Sequence, residues 1–116
     1  MNFKGGGEVN QARKQSEQIL QAQCEHYLDI RNIMYIHLRT FWEGRPVPGR
    51  RGWPDLMIFP GIGKTFFIEL KVGKNALTKS QKEVFPMLEN KGYDVFVIRS
   101  FGSFMELIDG RQNDKH

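Results

Sequence analysis

The chain has 116 residues, enough for one compact domain with a real core and too few for two. Its formal net charge of +4 and pI of about 9.4 favour an anionic partner such as nucleic acid without requiring one. The single Cys24 excludes an intrachain disulfide and a cysteine-built zinc site, His26, His37 and His116 lack metal-ligand spacing, and no apolar run reaches the length of a membrane span.

A reducing cytosol is therefore the expected setting, and the polar start with Gly5-Gly6-Gly7 lacks the apolar core of a secretory signal. Residues 1 to about 12 read as frayed. Helical periodicity then runs from Arg13 to about Asp29. At about 100° per residue, Leu20, Cys24, Tyr27 and Leu28 form one apolar stripe; Glu17 falls inside it and Glu25 well off its centre. An acid on a buried face needs a reason. Glu17 either pairs with Arg13 or Lys14 at the helix start or belongs to a site.

Ile33 to Phe41 alternates well enough for a first strand, and Glu43 to Gly52, with its prolines and glycines, reads as a loop. That loop carries Arg45, Arg50 and Arg51 toward Asp55, where guanidinium groups brace a phosphate or simply lie in solvent. Arg39 is a further candidate phosphate contact, and Trp53 suits either base stacking or packing at a core rim.

Asp55 opens the apolar run Leu56-Met57-Ile58-Phe59, and Pro60-Gly61-Ile62-Gly63 is turn chemistry that joins antiparallel strands. Thr65 to Val72 follows as a strand rich in aromatic and branched residues. Side chains alternate faces along a strand, so Phe66, Ile68 and Leu70 share one side while Phe67, Glu69 and Lys71 share the other. Taking such charges out of water costs on the order of several kcal/mol per ion unless each finds a partner or a metal. The hairpin brings Asp55 beside Glu69 and Lys71, and two carboxylates converging next to a lysine suit a hard cation such as magnesium. A structural ion pair is the plainer explanation of the same residues. Gly61-Ile62-Gly63-Lys64-Thr65 resembles a phosphate-binding loop only superficially. The motif's first glycine would fall on Ile58, and a strand follows where a helix is required, so no nucleotide cofactor is expected.

Thr78-Lys79-Ser80-Gln81 has the form of a capping box, and Gly92 is placed to end the helix. Gln81 lies on the stripe of Val84, Phe85 and Leu88, and Pro86 within the helix predicts a kink or an early break. Tyr93 to Arg99 reads as a last strand, Ser103 to Ile108 as a short helix, and 110–116 as a polar tail, which leaves 13–109 as the single domain.

Pro54-Asp55 followed by Glu69-Leu70-Lys71 resembles the signature of PD-(D/E)XK nucleases. The approach Val47-Pro48-Gly49-Arg50-Arg51-Gly52-Trp53 and the downstream Leu77-Thr78-Lys79-Ser80-Gln81 are similar to the virus-type replication-repair nuclease (VRR-NUC) branch, over roughly residues 17 to 100. The resemblance implies an α/β fold with an αβββαβ core, a mixed sheet flanked by helices. It implies Mg2+ or Mn2+ held by Asp55, Glu69, the Leu70 carbonyl and Glu17, the last favoured over Glu25 because Ser16-Glu17 with Gln21 resembles the start of the family's first helix. Lys71 would position the attacking water, and Gln81 would face the site. Arg39, Arg50, Arg51, Trp53, Lys74 and Lys79 make up the expected DNA-binding set. The likeness to stand-alone phage-encoded nucleases implies a DNA endonuclease in a bacterial cytoplasm, a homodimer cutting branched or Holliday-junction DNA. A restriction-type, nicking or flap nuclease is the rival enzyme, and a nucleic-acid-binding module with an inert site is the rival of another class.

Overall fold

The computed structural model describes residues 4–113, with side chains described over 16–111. Nine elements follow in order: α1 (Lys4–Ile30), β1 (Met34–His37), β2 (Phe41–Trp42), β3 (Arg45–Pro46), β4 (Leu56–Gly61), β5 (Lys64–Leu70), α2 (Lys79–Asn90), β6 (Asp94–Ile98) and α3 (Phe101–Asn113). Four strands make one sheet in the order β1-β4-β5-β6, while β2 and β3 form a separate ribbon. The β1–β4 and β4–β5 pairs are antiparallel and β5–β6 is parallel, so the sheet is mixed. The parallel pair needs a crossover, and α2 supplies it. Among the described residues, no helix is long and apolar enough to cross a membrane.

Alternation along β5 divides the core as expected. Phe66, Ile68 and Leu70 join Leu20, Cys24, Leu28, Phe104 and Ile108 beneath α1 and α3. On the other face Phe67 packs with Leu38 and Leu88, rimmed by Trp53, Met57, Val84 and Val95, beneath α2. Helices α1 and α3 are tied together by Tyr27, which donates to Asp109 at 2.6 Å, and by Arg31, 2.7 Å from the same carboxylate.

The helix ends follow local chemistry. Asn32, at φ 58°, closes α1 with Ile33 N–H donating to the Leu28 carbonyl, and Gly92, at φ 95°, closes α2 with Tyr93 N–H donating to Leu88. Thr78 caps α2 in the expected reciprocal box with Gln81.

Four expectations need correction. Helix α1 begins at Lys4 rather than near Arg13 and runs through the three glycines, because propagation from a packed stretch adds one hydrogen bond per residue fixed. Residues 1–3 of the expected frayed start lie outside the described residues. The expected strand from Ile33 to Phe41 stops at His37, and the segment expected as a loop holds the β2–β3 ribbon, turned by Glu43 (φ 52°) and Gly44 (φ 78°). Pro86 neither ends nor interrupts α2, which continues to Asn90. It sits on the exposed face of the helix, as does Lys82 one turn earlier, whose carbonyl is the one that loses its partner. Finally, α3 spans Phe101–Asn113, so 110–113 of the expected tail are helical; 114–116 lie outside the described residues.

Candidate active site

Register sets the centre of the site. Leu56 pairs with Ile68, and one step further along the antiparallel ladder Asp55 stands across from Glu69 on the same face. Asp55 is held from two sides. Its carbonyl accepts from Leu38 N–H at 2.7 Å, and its side-chain Oδ2 accepts from Leu70 N–H at 2.7 Å. Lys71 follows the end of β5, with Nζ 3.4 Å from Glu69 Oε2. Gln81 Nε2 donates to the same oxygen at 2.9 Å, while its Oε1 accepts from Thr78 N–H. The structural and site readings of Gln81 therefore both hold: one side chain caps α2 and fastens α2 to Glu69.

Glu69, Lys71 and Gln81 are 4%, 8% and 9% exposed, so a carboxylate, an ammonium and an amide share a space nearly closed to water. Glu69 Oε1 is buried and has no hydrogen-bond partner among the described residues. Burial, and then the charge of Asp55, pushes the Glu69 carboxyl up to about 8 against the pull of Lys71 and Gln81. Burial also raises Asp55, opposed chiefly by the Leu70 N–H. Lys71 alone thus leaves the acid pair short of positive charge.

Helix α1 brings Glu17 to this side. Its carboxylate adds to the repulsion felt by Asp55, and Oε1 lies 3.4 Å from the Asn75 amide. Glu25 accepts from Gln21 at 2.8 Å and from the Tyr35 hydroxyl at 3.1 Å, and its Oε2 lies 4.0 Å from His37 Nδ1. Gln21 in turn lies 2.8 Å from His37 Nε2, and the His37 ring is near enough to favour the charged form of Asp55. Neither His37 nor Asn75 is evident from the sequence, because a lone histidine on an edge strand and an asparagine in a loop carry no spacing signal.

The basic residues divide into two groups. Arg39, Arg45 and Arg50 line one cavity with His37 and Trp42, whereas Arg51 lines a second cleft with Trp53, Thr78, Ser80 and Gln81. Lys74 and Lys79 are exposed, on the loop after Lys71 and in the first turn of α2. Trp53, for which the sequence leaves base stacking and rim packing both open, packs edge-on against Phe67 at 6.1 Å at the rim of the core beneath α2 and is only partly buried. Gly52 explains how the arginine loop docks there. At φ 84°, a Cβ on it would sit 2.6 Å from the Ser80 carbonyl oxygen and 2.9 Å from a Val84 methyl.

The donor set fits a divalent cation: two facing carboxylates, one with an unsatisfied buried oxygen, and a third acid nearby. Among the described residues no group of three or more His, Cys, Asp or Glu side chains is arranged to hold a metal ion, so the fit rests on the facing pair Asp55 and Glu69.

Comparisons with known proteins bear on the fold and the family. A solved structure titled "VRR_NUC domain" superposes with a TM-score of 0.63 at 24% identity, over 80% of this chain and 94% of that one. No curated protein matches the sequence significantly. The family model of the VRR-NUC domain matches residues 9–102, taking in α1, the facing acids, Lys71 and α2. The chain belongs to the VRR-NUC family, nucleases of the PD-(D/E)XK type.

Proposed function

We propose that the protein is a divalent-cation-dependent DNA endonuclease that hydrolyses phosphodiester bonds. The observation that carries this reading is the buried Glu69, across the ladder from Asp55 and beside Lys71, whose Oε1 has no hydrogen-bond partner among the described residues. A buried carboxylate pair left short of positive charge is costly as a structural feature and useful as a cation seat.

Asp55 and Glu69 would hold Mg2+ or Mn2+, with Glu17 on its outer side. The Leu70 carbonyl is a further ligand, since a strand residue's N–H and C=O point to the same neighbour and Leu70 N–H already meets Asp55. Bound there, the ion supplies Lewis-acid stabilisation of charge building on the phosphate oxygens. The other steps belong to side chains. Gln81 holds Glu69 Oε2 so that Oε1 stays turned to the cation seat. Lys71, fixed against Glu69, donates from Nζ to the attacking water and orients it toward phosphorus. Attack breaks the bond to the 3′ oxygen, leaving a 5′-phosphate and a 3′-hydroxyl. Arg51, which lines the cleft beside Gln81, and the exposed Lys74 and Lys79 would hold flanking phosphates.

The preferred substrate is branched DNA, a four-way junction cut by a homodimer. One compact domain with a single site reads a two-fold substrate most simply as a symmetric pair.

The test is a labelled four-way junction and a matched linear duplex, each with Mg2+, Mn2+ or EDTA, with Lys71→Ala as control. Paired, metal-dependent cuts on the junction, absent in the variant, are expected. Equal activity in Lys71→Ala would refute the role given to that residue, and no cutting under any metal would leave a nucleic-acid-binding module.

A further inference from the structure

The β2–β3 ribbon has no core to stand on. All four of its residues are exposed, Phe41 at 61% and Trp42 at 56%, and among the described residues neither strand packs on another helix or strand. A two-stranded ribbon is marginal by itself in water, and two large aromatic rings on it worsen the balance. Its chemistry nevertheless has an order. The Arg39 guanidinium lies 4.9 Å from the centre of the Trp42 ring, and Arg39, Trp42, Arg45 and Arg50 line a cavity of about 740 Å³ that reaches back to His37. Among the described residues, none of these three arginines forms an ion pair with an acid.

The ribbon is also continuous with the catalytic strand pair. Leu38, whose N–H holds the Asp55 carbonyl, is the residue before Arg39. Trp42 therefore stands at most about 13 Å of extended chain from Asp55's neighbour, roughly four base steps of duplex. Cations track a phosphate backbone, but exposed aromatic faces gain nothing from a stacked duplex, whose bases are already covered. They gain from a base that lacks a neighbour.

We infer that the β2–β3 ribbon is the element that recognises a branch: Trp42 stacks on the base left unstacked where strands diverge, and Arg39, Arg45 and Arg50, which line the same cavity, hold the phosphates on either side. The inference rests on the proposed DNA endonuclease reading and adds to it the residues that select the substrate. The turn at Glu43-Gly44, with φ of 52° and 78°, joins the two strands, and the Arg39 guanidinium over Trp42 puts a cation beside the ring that would meet the base.

The experiment measures equilibrium binding in EDTA, by fluorescence anisotropy, of a four-way junction and a blunt duplex of equal length to the wild type, Trp42→Ala and Trp42→Phe. A second junction carries 2-aminopurine at the branch to report stacking directly. Trp42→Ala should weaken junction binding about tenfold or more and abolish the quenching of 2-aminopurine, with duplex binding changed less than about twofold. Trp42→Phe, which keeps a ring, should restore most of both signals. Equal weakening on both DNAs, no weakening on either, or no junction preference in the wild type would overturn the inference. So would conversion of a dimer to a monomer by Trp42→Ala in size-exclusion chromatography, because the ring would then face a second copy of the chain. A junction preference that depends on Trp42 in a protein that cuts nothing with Mg2+ or Mn2+ would leave the ribbon's role standing and remove the nuclease reading.

Discussion

Two antiparallel ribbons in this molecule use charge in opposite ways. In β4–β5 the charged groups Asp55, Glu69 and Lys71 are withdrawn from water, fixed by backbone and amide donors, and mounted on strands covered by helices on both faces. In β2–β3 the arginines and two aromatic rings stand in solvent, and one turn holds them together. Burial raises the energy of the first set and makes its electrostatics strong, which is what chemistry needs. Exposure leaves the second set adaptable, which suits contact with a large, irregular partner.

The contrast is sharpest at Glu69. Glu69→Gln keeps the shape but removes a charge that burial disfavours, so metal-dependent DNA cleavage should fall by about 10²–10⁴-fold. The melting temperature of the metal-free protein should rise at the same time. A variant that lost both activity and stability would mean that Glu69 is structural. Next in size, Phe104→Ala empties a fully buried position and should cost about 3–5 kcal/mol in denaturant unfolding, whereas Phe41→Ala on the exposed ribbon should change stability by less than about 0.5 kcal/mol. A large loss for Phe41→Ala would erase the distinction between the ribbons. Gly52→Ala tests the joint between them. Strain at φ 84° and contact with Ser80 should cost about 1–3 kcal/mol and lower kcat more than they weaken DNA binding, as read from stopped-time cleavage and anisotropy on one sample.

A pH series gives the smallest but most specific signal. Glu69 and Asp55 are raised on folding, so the native state holds protons that the unfolded chain has released. Their contribution to stability is fully present below the ordinary carboxylate range, declines as pH rises, and is gone above about pH 8, the folded value for Glu69. Melting of the metal-free protein should show this decline, Glu69→Gln should flatten it, and added Mg2+ should stabilise more at pH 8 than at pH 6. A metal effect independent of pH would move the cation away from these acids.

Much of this was legible because strands alternate strictly. The face shared by Glu69 and Lys71, the apolar face of Phe66, Ile68 and Leu70, and the box formed by Thr78 and Gln81 all depend on spacing within a few residues. Three features were not. Pro86 reads as a breaker because sequence does not show that its lost hydrogen bond falls on the wet side of α2. Trp53 reads equally as a stacking platform or a rim residue because a lone aromatic carries no sign of Phe67 beside it. The ribbon was hidden in a stretch rich in glycine and proline whose two strands are only two residues each, below the length at which alternation is visible.

By itself the sequence determined the order of the helices and of the four strands of the main sheet and the pairing that sets Asp55 against Glu69, since these follow from periodicity and turn chemistry, and its motifs resembled those of the family. The tertiary structure decided that Glu17 meets Asn75 and Glu25 meets Tyr35, that Gln81 serves α2 and Glu69 at once, that Glu69 Oε1 has no partner among the described residues, and that Trp53 is partly buried while Trp42 is exposed. Those outcomes depend on distances between elements far apart along the chain, and no local spacing contains them.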